Sequence, residues 1–220
     1  MQPGKKYEIL LLDAANTIMH KPDLWDGFSK VLKAYRIPVD DLELRRKHKI
    51  LSEVIHFPDR TSESFYRSFN AEVLLSLGII PNDELLKALF QECTYLPWEP
   101  FNDTFSLKNL NIRKAVLSNF NGTLGDKLES MFGGGFFDII IGSEEQKLSK
   151  PDVRFYQRAV QLLDIAPEKI LYIGDSLKLD VIPAASLGIA AWLIDRDRNY
   201  LNFNQRINSL TEVAALLSSV

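Results

Sequence analysis

Four short polar clusters carry the residue types that could do chemistry, and three of them directly end an apolar run. Leu12 gives way to Asp13-Ala14-Ala15-Asn16-Thr17, Leu117 to Ser118-Asn119, and Ile173 to Gly174-Asp175-Ser176, with Asp180 five residues beyond Asp175. The fourth cluster, Lys150-Pro151-Asp152, stands ahead of a helical pattern, and Pro151 is expected to open that helix. A carboxylate at the tip of a buried strand is costly unless something compensates its charge. Three such carboxylates in one crevice repel one another and call for a cation, and an all-oxygen set favours a hard one such as Mg²⁺. A lysine beside Asp13 keeps it ionised and therefore nucleophilic. Ser118, Asn119 and Lys150 are donors suited to the oxygens of a transferring phosphoryl group. Asp13 is then the candidate for in-line attack on phosphorus, giving an aspartyl-phosphate that water hydrolyses.

These clusters meet only if the elements beneath them form a parallel sheet. The apolar runs Tyr7–Leu12, Lys114–Leu117, Asp138–Ile141, Ile170–Ile173 and Ala190–Ile194 have the length of strands buried on both faces. Amphipathic segments of helical length alternate with the later runs: Thr123–Phe132, Asp152–Leu163, Lys178–Leu187 and Leu210–Leu217. That alternation predicts a three-layer α/β core, with all four clusters at one sheet edge. From about His20 to Trp98 the patterns are helical instead. Leu24, Phe28, Val31, Leu32 and Tyr35 form one apolar stripe; Phe65, Phe69, Val73 and Leu77 form another. Asp40–Asp41 and Thr61–Ser62 offer N-caps. A helical module inserted after the first strand falls over the ligand-binding edge of an open α/β sheet, a position that suits a lid.

Composition narrows the partners. Twenty-six Lys and Arg against 29 Asp and Glu give a net charge of −3, so there is no global basic field to attract nucleic acid. The apolar run Ile9–Leu12 is too short for a secretory or membrane segment, and Cys93 is the single cysteine, so the expected setting is a reducing cytoplasm with no membrane partner. Other features have plainer readings. Arg45–Lys49 reads as the solvated face of a helix, Gly133–Gly135 as a turn, and Cys93 as packing.

In order and spacing, the four clusters resemble the motifs of the haloacid dehalogenase-like hydrolase superfamily. Asp13–Thr17 is similar to its first motif, Ser118 to its second, Lys150-Pro151-Asp152 to its third, and Gly174-Asp175 through Asp180 to its fourth. The resemblance implies a Rossmann-like α/β core over residues 1–18 and 99–220, with an inserted all-α cap of the C1 type over residues 19–98. It also implies roles. Asp13 is the nucleophile and a metal ligand, Asp175 binds Mg²⁺ directly, Asp180 binds it directly or through water, and the Ala15 carbonyl completes the protein's ligands. Ser118 holds a phosphoryl oxygen with help from the Asn119 N–H, and Lys150 bridges nucleophile and phosphoryl group. The implied substrate is a small phosphorylated metabolite.

One departure matters. Family phosphatases carry a second Asp two residues after the nucleophile, which protonates the leaving group and then activates water; here that position is Ala15, and the usual following Gly is Asn16. Loss of general acid–base help costs about 10²–10⁴-fold, so hydrolysis is expected to favour good leaving groups. His20, His48 or Lys49 are the substitutes for the acid that sequence offers. Alanine at this position also resembles phosphonoacetaldehyde hydrolases, which cleave a carbon–phosphorus bond through a cap lysine, a role for Lys30 or Lys33. A catalytically silent, ligand- or partner-binding member is the alternative from another class. True dehalogenases also lack the second Asp, but usually lose the carboxylate that Asp175 retains.

Overall fold

The computed structural model describes residues 6–58 and 60–218. Among them the strands are β1 (Ile9–Leu12), β2 (Met19–His20), β3 (Glu99–Pro100), β4 (Arg113–Ser118), β5 (Ile139–Gly142), β6 (Ile170–Gly174), β7 (Ala190–Ile194) and β8 (Arg206–Ile207). Six form a parallel sheet in the order β5-β4-β1-β6-β7-β8, and β2 pairs with β3 separately. The chain divides into two compact units, one of residues up to 20 and from 100 onward, the other of residues 21–99.

In the first unit β1 is central because its four residues, Ile-Leu-Leu-Leu, are apolar on both faces and entirely buried. Leu12 lies level with Val116 of β4 and Ile173 of β6. Asp13 therefore leaves the sheet beside Ser118 and Gly174, which end those two strands. The fold is the expected α/β core. Its helices are the later members of the series α1 (Leu24–Ala34), α2 (Asp41–Val54), α3 (Glu63–Ser76), α4 (Asp83–Cys93), α5 (Leu124–Phe132), α6 (Ser143–Gln146), α7 (Val153–Leu163), α8 (Ile182–Ala185) and α9 (Val213–Ser218). One face of the sheet packs Ile9, Leu11, Leu117 and Tyr172 against Phe155, Tyr156 and Ala159 of α7.

Three helical expectations need correction. Pro151 does not open α7; Asp152 is its N-cap, accepting from Arg154 N at 2.9 Å, and the helix begins at Val153. The segment Lys178–Leu187 is not one helix. Leu177–Val181 is a π-helical turn, in which Asp180 N and Val181 N both donate to the Ser176 carbonyl, and the short α8 follows with Pro183 in its first turn. Leu210–Leu217 likewise splits into a 3₁₀ turn (Leu210–Glu212) closed by a Ser209/Glu212 capping box and the six-residue α9. Local hydrogen bonding at Ser176 and Ser209 overrides the apolar period in both places.

The second unit consists of α1–α4 around Phe28, Leu32, Leu44, Phe69, Val73, Leu85 and Leu89, all nearly inaccessible. Asp40 caps α2 and Ser62 caps α3, as their spacing predicts, and Asn82 caps α4 in the same way. Cys93 is buried and packs on α1, where a Cβ at Gly27 would stand 3.1 Å from its Sγ.

Candidate active site

Asp13 continues the backbone pairing of β1 for one residue, its N–H donating to the Ile173 carbonyl at 2.9 Å. The chain then turns: the Ala14 carbonyl accepts from Ile18 N at 3.0 Å and Met19 N at 3.1 Å, and Ala15 pairs with Met19. Asn16 sits at φ +60°, in the left-handed region that asparagine enters most readily among residues with a side chain.

The turn and the neighbouring strand ends build one buried network. Asp13 Oδ1 accepts from Lys150 Nζ at 2.6 Å and from Ser118 Oγ at 3.1 Å, while its Oδ2 accepts from Thr17 Oγ1 at 3.3 Å. Lys150 Nζ also donates to Asp180 Oδ1 at 2.6 Å. Asp180 is engaged on both oxygens, taking Tyr172 OH at 2.6 Å on Oδ1 and Ser176 N at 3.0 Å on Oδ2. Gly174 is required for this arrangement, because a Cβ there would collide with the Asp180 carboxylate. Asn119 does not face the network with its amide. It clamps the backbone of Lys150 instead, donating from Nδ2 to the carbonyl at 3.0 Å and accepting from the N–H at 2.7 Å.

Burial sets the electrostatics. Asp13 and Lys150 are 6% and 2% exposed. Desolvation raises the Asp13 carboxyl to about 7, against the pull of Lys150 and with the push of Asp180 and Asp175. Burial acts to lower Lys150, but the two carboxylates it bridges outweigh this and hold it above its usual value. Asp13 and Asp180 thus share the one Lys150 ammonium. One oxygen each from Asp13, Asp175 and Asp180 lies within 4.8 Å of the others, a hard all-oxygen set that fits a divalent cation.

The structure thus brings Asp13, Ser118, Lys150, Asp175 and Asp180 together, with Asn119 behind Lys150 and Ala15 in the adjoining turn. Two participants were not singled out from sequence. Thr17 is a fully buried threonine inside the first cluster, and its hydroxyl needed a partner. Tyr172 stands in an otherwise apolar strand, two residues before Gly174 and so on the same face, and a buried phenol has the same need. The substitute acids fare differently. His20 stacks on Phe101 with centroids 4.0 Å apart. His48 is ringed by Trp25, Phe28 and Phe69 and held neutral, its imidazole lowered to about 4 by burial and Lys49. Lys49 pairs with Glu53 at 2.9 Å, and Lys30 with Glu92 at 2.6 Å.

Residues 11–188 match the family model described as haloacid dehalogenase-like hydrolase. The haloacid dehalogenase-like hydrolase domain-containing protein 3 of Danio rerio is 29% identical over 119 residues, a match covering 52% of this chain and 49% of that protein. The glyceraldehyde 3-phosphate phosphatase of Methanothermobacter thermautotrophicus is 25% identical over 193 residues, covering 78% of this chain and 80% of that one. Among solved structures, the magnesium-bound HAD-hydrolase YfnB of Bacillus subtilis superimposes with a TM-score of 0.68 at 19% identity, covering 98% of this chain and all of that one.

Proposed function

The chain belongs to the haloacid dehalogenase-like hydrolases, and from that premise we propose that it is a Mg²⁺-dependent phosphohydrolase acting on a small phosphorylated metabolite. The observation that carries the reading is the Lys150 bridge, an ammonium 2.6 Å from both Asp13 and Asp180 with Ser118 on the same Asp13 oxygen. That bridge supports reading Asp13 as a carboxylate nucleophile held beside donors for a phosphoryl group. Asp13, Asp175 and Asp180 are the side chains that would hold the cation, together with the Ala15 carbonyl. A cation held there would supply charge neutralisation for the phosphoryl oxygens.

The residues then divide the work. An Asp13 oxygen attacks phosphorus as the bond to the leaving oxygen breaks, and an aspartyl-phosphate forms. Ser118 and Lys150 donate to the phosphoryl oxygens as negative charge shifts onto them. Asp180, held by Tyr172 and the Ser176 N–H, keeps Lys150 in place. Water then attacks the phosphorus of the phosphoenzyme and releases phosphate, restoring Asp13. Ala15 has no proton to give the leaving group and no base for that water. Substrates with acidic leaving groups, such as acyl or aryl phosphates, are therefore favoured over alkyl esters. Of the two candidate Schiff-base lysines for carbon–phosphorus cleavage, Lys30 has a side chain 70% exposed and paired with Glu92 and Lys33 is exposed, so no observation favours that reading.

The test is hydrolysis of p-nitrophenyl phosphate with Mg²⁺ and with EDTA, using Asp13→Asn prepared identically. Metal-dependent release that disappears in Asp13→Asn is the expected result, with a burst and then a slow phase if Ala15 mainly retards dephosphorylation. Equal, negligible release from both proteins over a broad panel of phosphate esters and acyl phosphates would overturn the reading in favour of a binding role.

A further inference from the structure

Outside the carboxylate cluster, Arg196, two residues past the end of β7, ties together several segments of the first unit. Its guanidinium forms a fork on Asp103, with Nη1 2.8 Å from Oδ2 and Nη2 3.0 Å from Oδ1. Nη2 also donates to the Thr17 carbonyl at 2.7 Å, and the group lies 3.7 Å over the Phe101 ring, whose own neighbour is His20. Asp103 is itself fixed. It accepts from Ser209 Oγ at 2.8 Å and Leu210 N at 2.9 Å. Burial acts to raise its carboxyl, but Arg196 and the Leu210 N–H outweigh that and hold it below its usual range.

The target of this clasp is informative. Thr17 donates its hydroxyl to Asp13 Oδ2 and presents its carbonyl to Arg196. The next carbonyl, that of Ile18, accepts from Phe101 N at 3.0 Å and Thr104 Oγ1 at 2.9 Å. Consecutive carbonyls of the turn that follows Asp13 are thus pinned from the 101–104 segment and from the far end of β7. Thr17 donates to Asp13 Oδ2 at 3.3 Å, so the orientation of that oxygen is tied to where the turn is held. A lysine cannot do the same job, having one point of charge where arginine has a planar fork.

We infer that Arg196, seated by Asp103, is a positioning residue: it holds the Ala14–Met19 turn so that Thr17 orients the Asp13 carboxylate. The inference rests on Asp13 being the nucleophile only for its kinetic consequence; the positioning itself is testable without turnover. In Arg196→Gln, kcat should fall roughly 10–100-fold, the usual cost of losing a group that orients another, while KM stays within about 3-fold. Arg196→Lys should keep most of the thermal stability yet show the same loss of kcat. Thr17→Val should lower kcat too, and the double variant Arg196→Gln/Thr17→Val should be no worse than the poorer single one. Arg206→Gln breaks a comparable pair, with Asp195 at 3.3 Å, and serves as the control with unchanged kcat.

Amide hydrogen exchange of Asn16 through Met19 in the substrate-free protein supplies the independent readout. It should quicken in Arg196→Gln while the amides of β4 and β6 keep their protection. Unaltered exchange in the turn, multiplicative losses in the double variant, or full kcat in Arg196→Gln would each overturn the positioning role. Should the parent protein turn over no phosphate substrate, the functional proposal fails while the exchange experiment still decides this one.

Discussion

The carboxylate network of the α/β unit and the aromatic cluster of the helical unit are both buried, yet they are built on opposite electrostatics. In the first, the Lys150 ammonium is held charged between Asp13 and Asp180, 2.6 Å from each, while burial pushes the Asp13 carboxyl up to about 7. In the second, His48 gives up its charge and is packed as a ring among Trp25, Phe28 and Phe69. Charge is retained where it can be used and removed where only packing matters. The difference also sets what each region can bind: one oxygen each of Asp13, Asp175 and Asp180 lies within 4.8 Å of the others, a set suited to a hard cation, whereas the ring cluster offers no such oxygens.

The largest effect that tests this contrast comes from adding a carboxylate to the site. Ala15→Asp should raise turnover of alkyl phosphates by about 10²–10⁴-fold, by supplying the missing acid and base, and should change p-nitrophenyl phosphate far less in the first step. Steady-state and burst kinetics on the two substrate classes check it; equal gains on both would mean that leaving-group protonation is not what limits the rate. Next in size is Lys150→Met. Removing the shared partner strands two buried carboxylates, so a loss of about 3–5 kcal/mol is expected in urea unfolding at pH 8 with EDTA. A loss below about 1 kcal/mol would show that the network is wetter than its burial implies.

Much of this was legible in the chain because the site is made of strand ends. A buried parallel strand announces itself as an apolar run, and whatever polar residue follows it must lie at the sheet edge, which is how Asp13, Ser118 and Asp175 could be placed together without coordinates. Lys150 and Asp180 were legible only as members of the set, since each alone reads as a solvated lysine or a cap. What the pattern did not carry was the support. The π-helical turn at Leu177–Val181 depends on Ser176 and on the absent side chain at Gly174, neither of which has an apolar period. Arg196, Asp103 and Ser209 are brought together by hydrogen bonds across roughly half the chain length, and no local spacing encodes that. Asn119 looked like a second donor to substrate, but the side chain proved to serve the backbone of Lys150.

The third test is pH, where the two regions should slope in opposite directions. His48 falls from 6.5 to about 4 on folding, so the folded state binds fewer protons between those values. Its stability contribution is complete above the unfolded value near 6.5 and is lost as pH falls to about 4, by at most about 3 kcal/mol. Asp13 runs the other way. Its carboxyl rises from 3.8 to about 7, so the metal-free protein is favoured below 3.8 and loses that advantage as pH climbs through 7. His48→Phe should therefore abolish the acid-side loss while staying within about 1.5 kcal/mol of the parent at pH 8. Asp13→Asn should abolish the loss toward neutral pH in EDTA. Thermal unfolding from pH 4 to 8 reads both, and parallel slopes in the two variants would refute the contrast.

The smallest effect makes the comparison sharpest, because the geometry is matched. Lys30 in the helical unit stands 2.6 Å from Glu92, the same distance as Lys150 from Asp13, but the Lys30 side chain is 70% exposed and that of Lys150 3%. Water solvates Lys30 almost as well alone as paired, and ordering two long side chains offsets what little attraction survives screening. Lys30→Met should cost less than about 1 kcal/mol, and the difference should vanish in 0.5 M salt, where the screening length is shorter than about 5 Å. The Lys150 variant should keep most of its deficit in the same salt, since mobile ions do not enter a buried pair. A salt-sensitive Lys150 deficit, or a salt-resistant Lys30 one, would mean that separation rather than burial governs the strength of ion pairs in this protein.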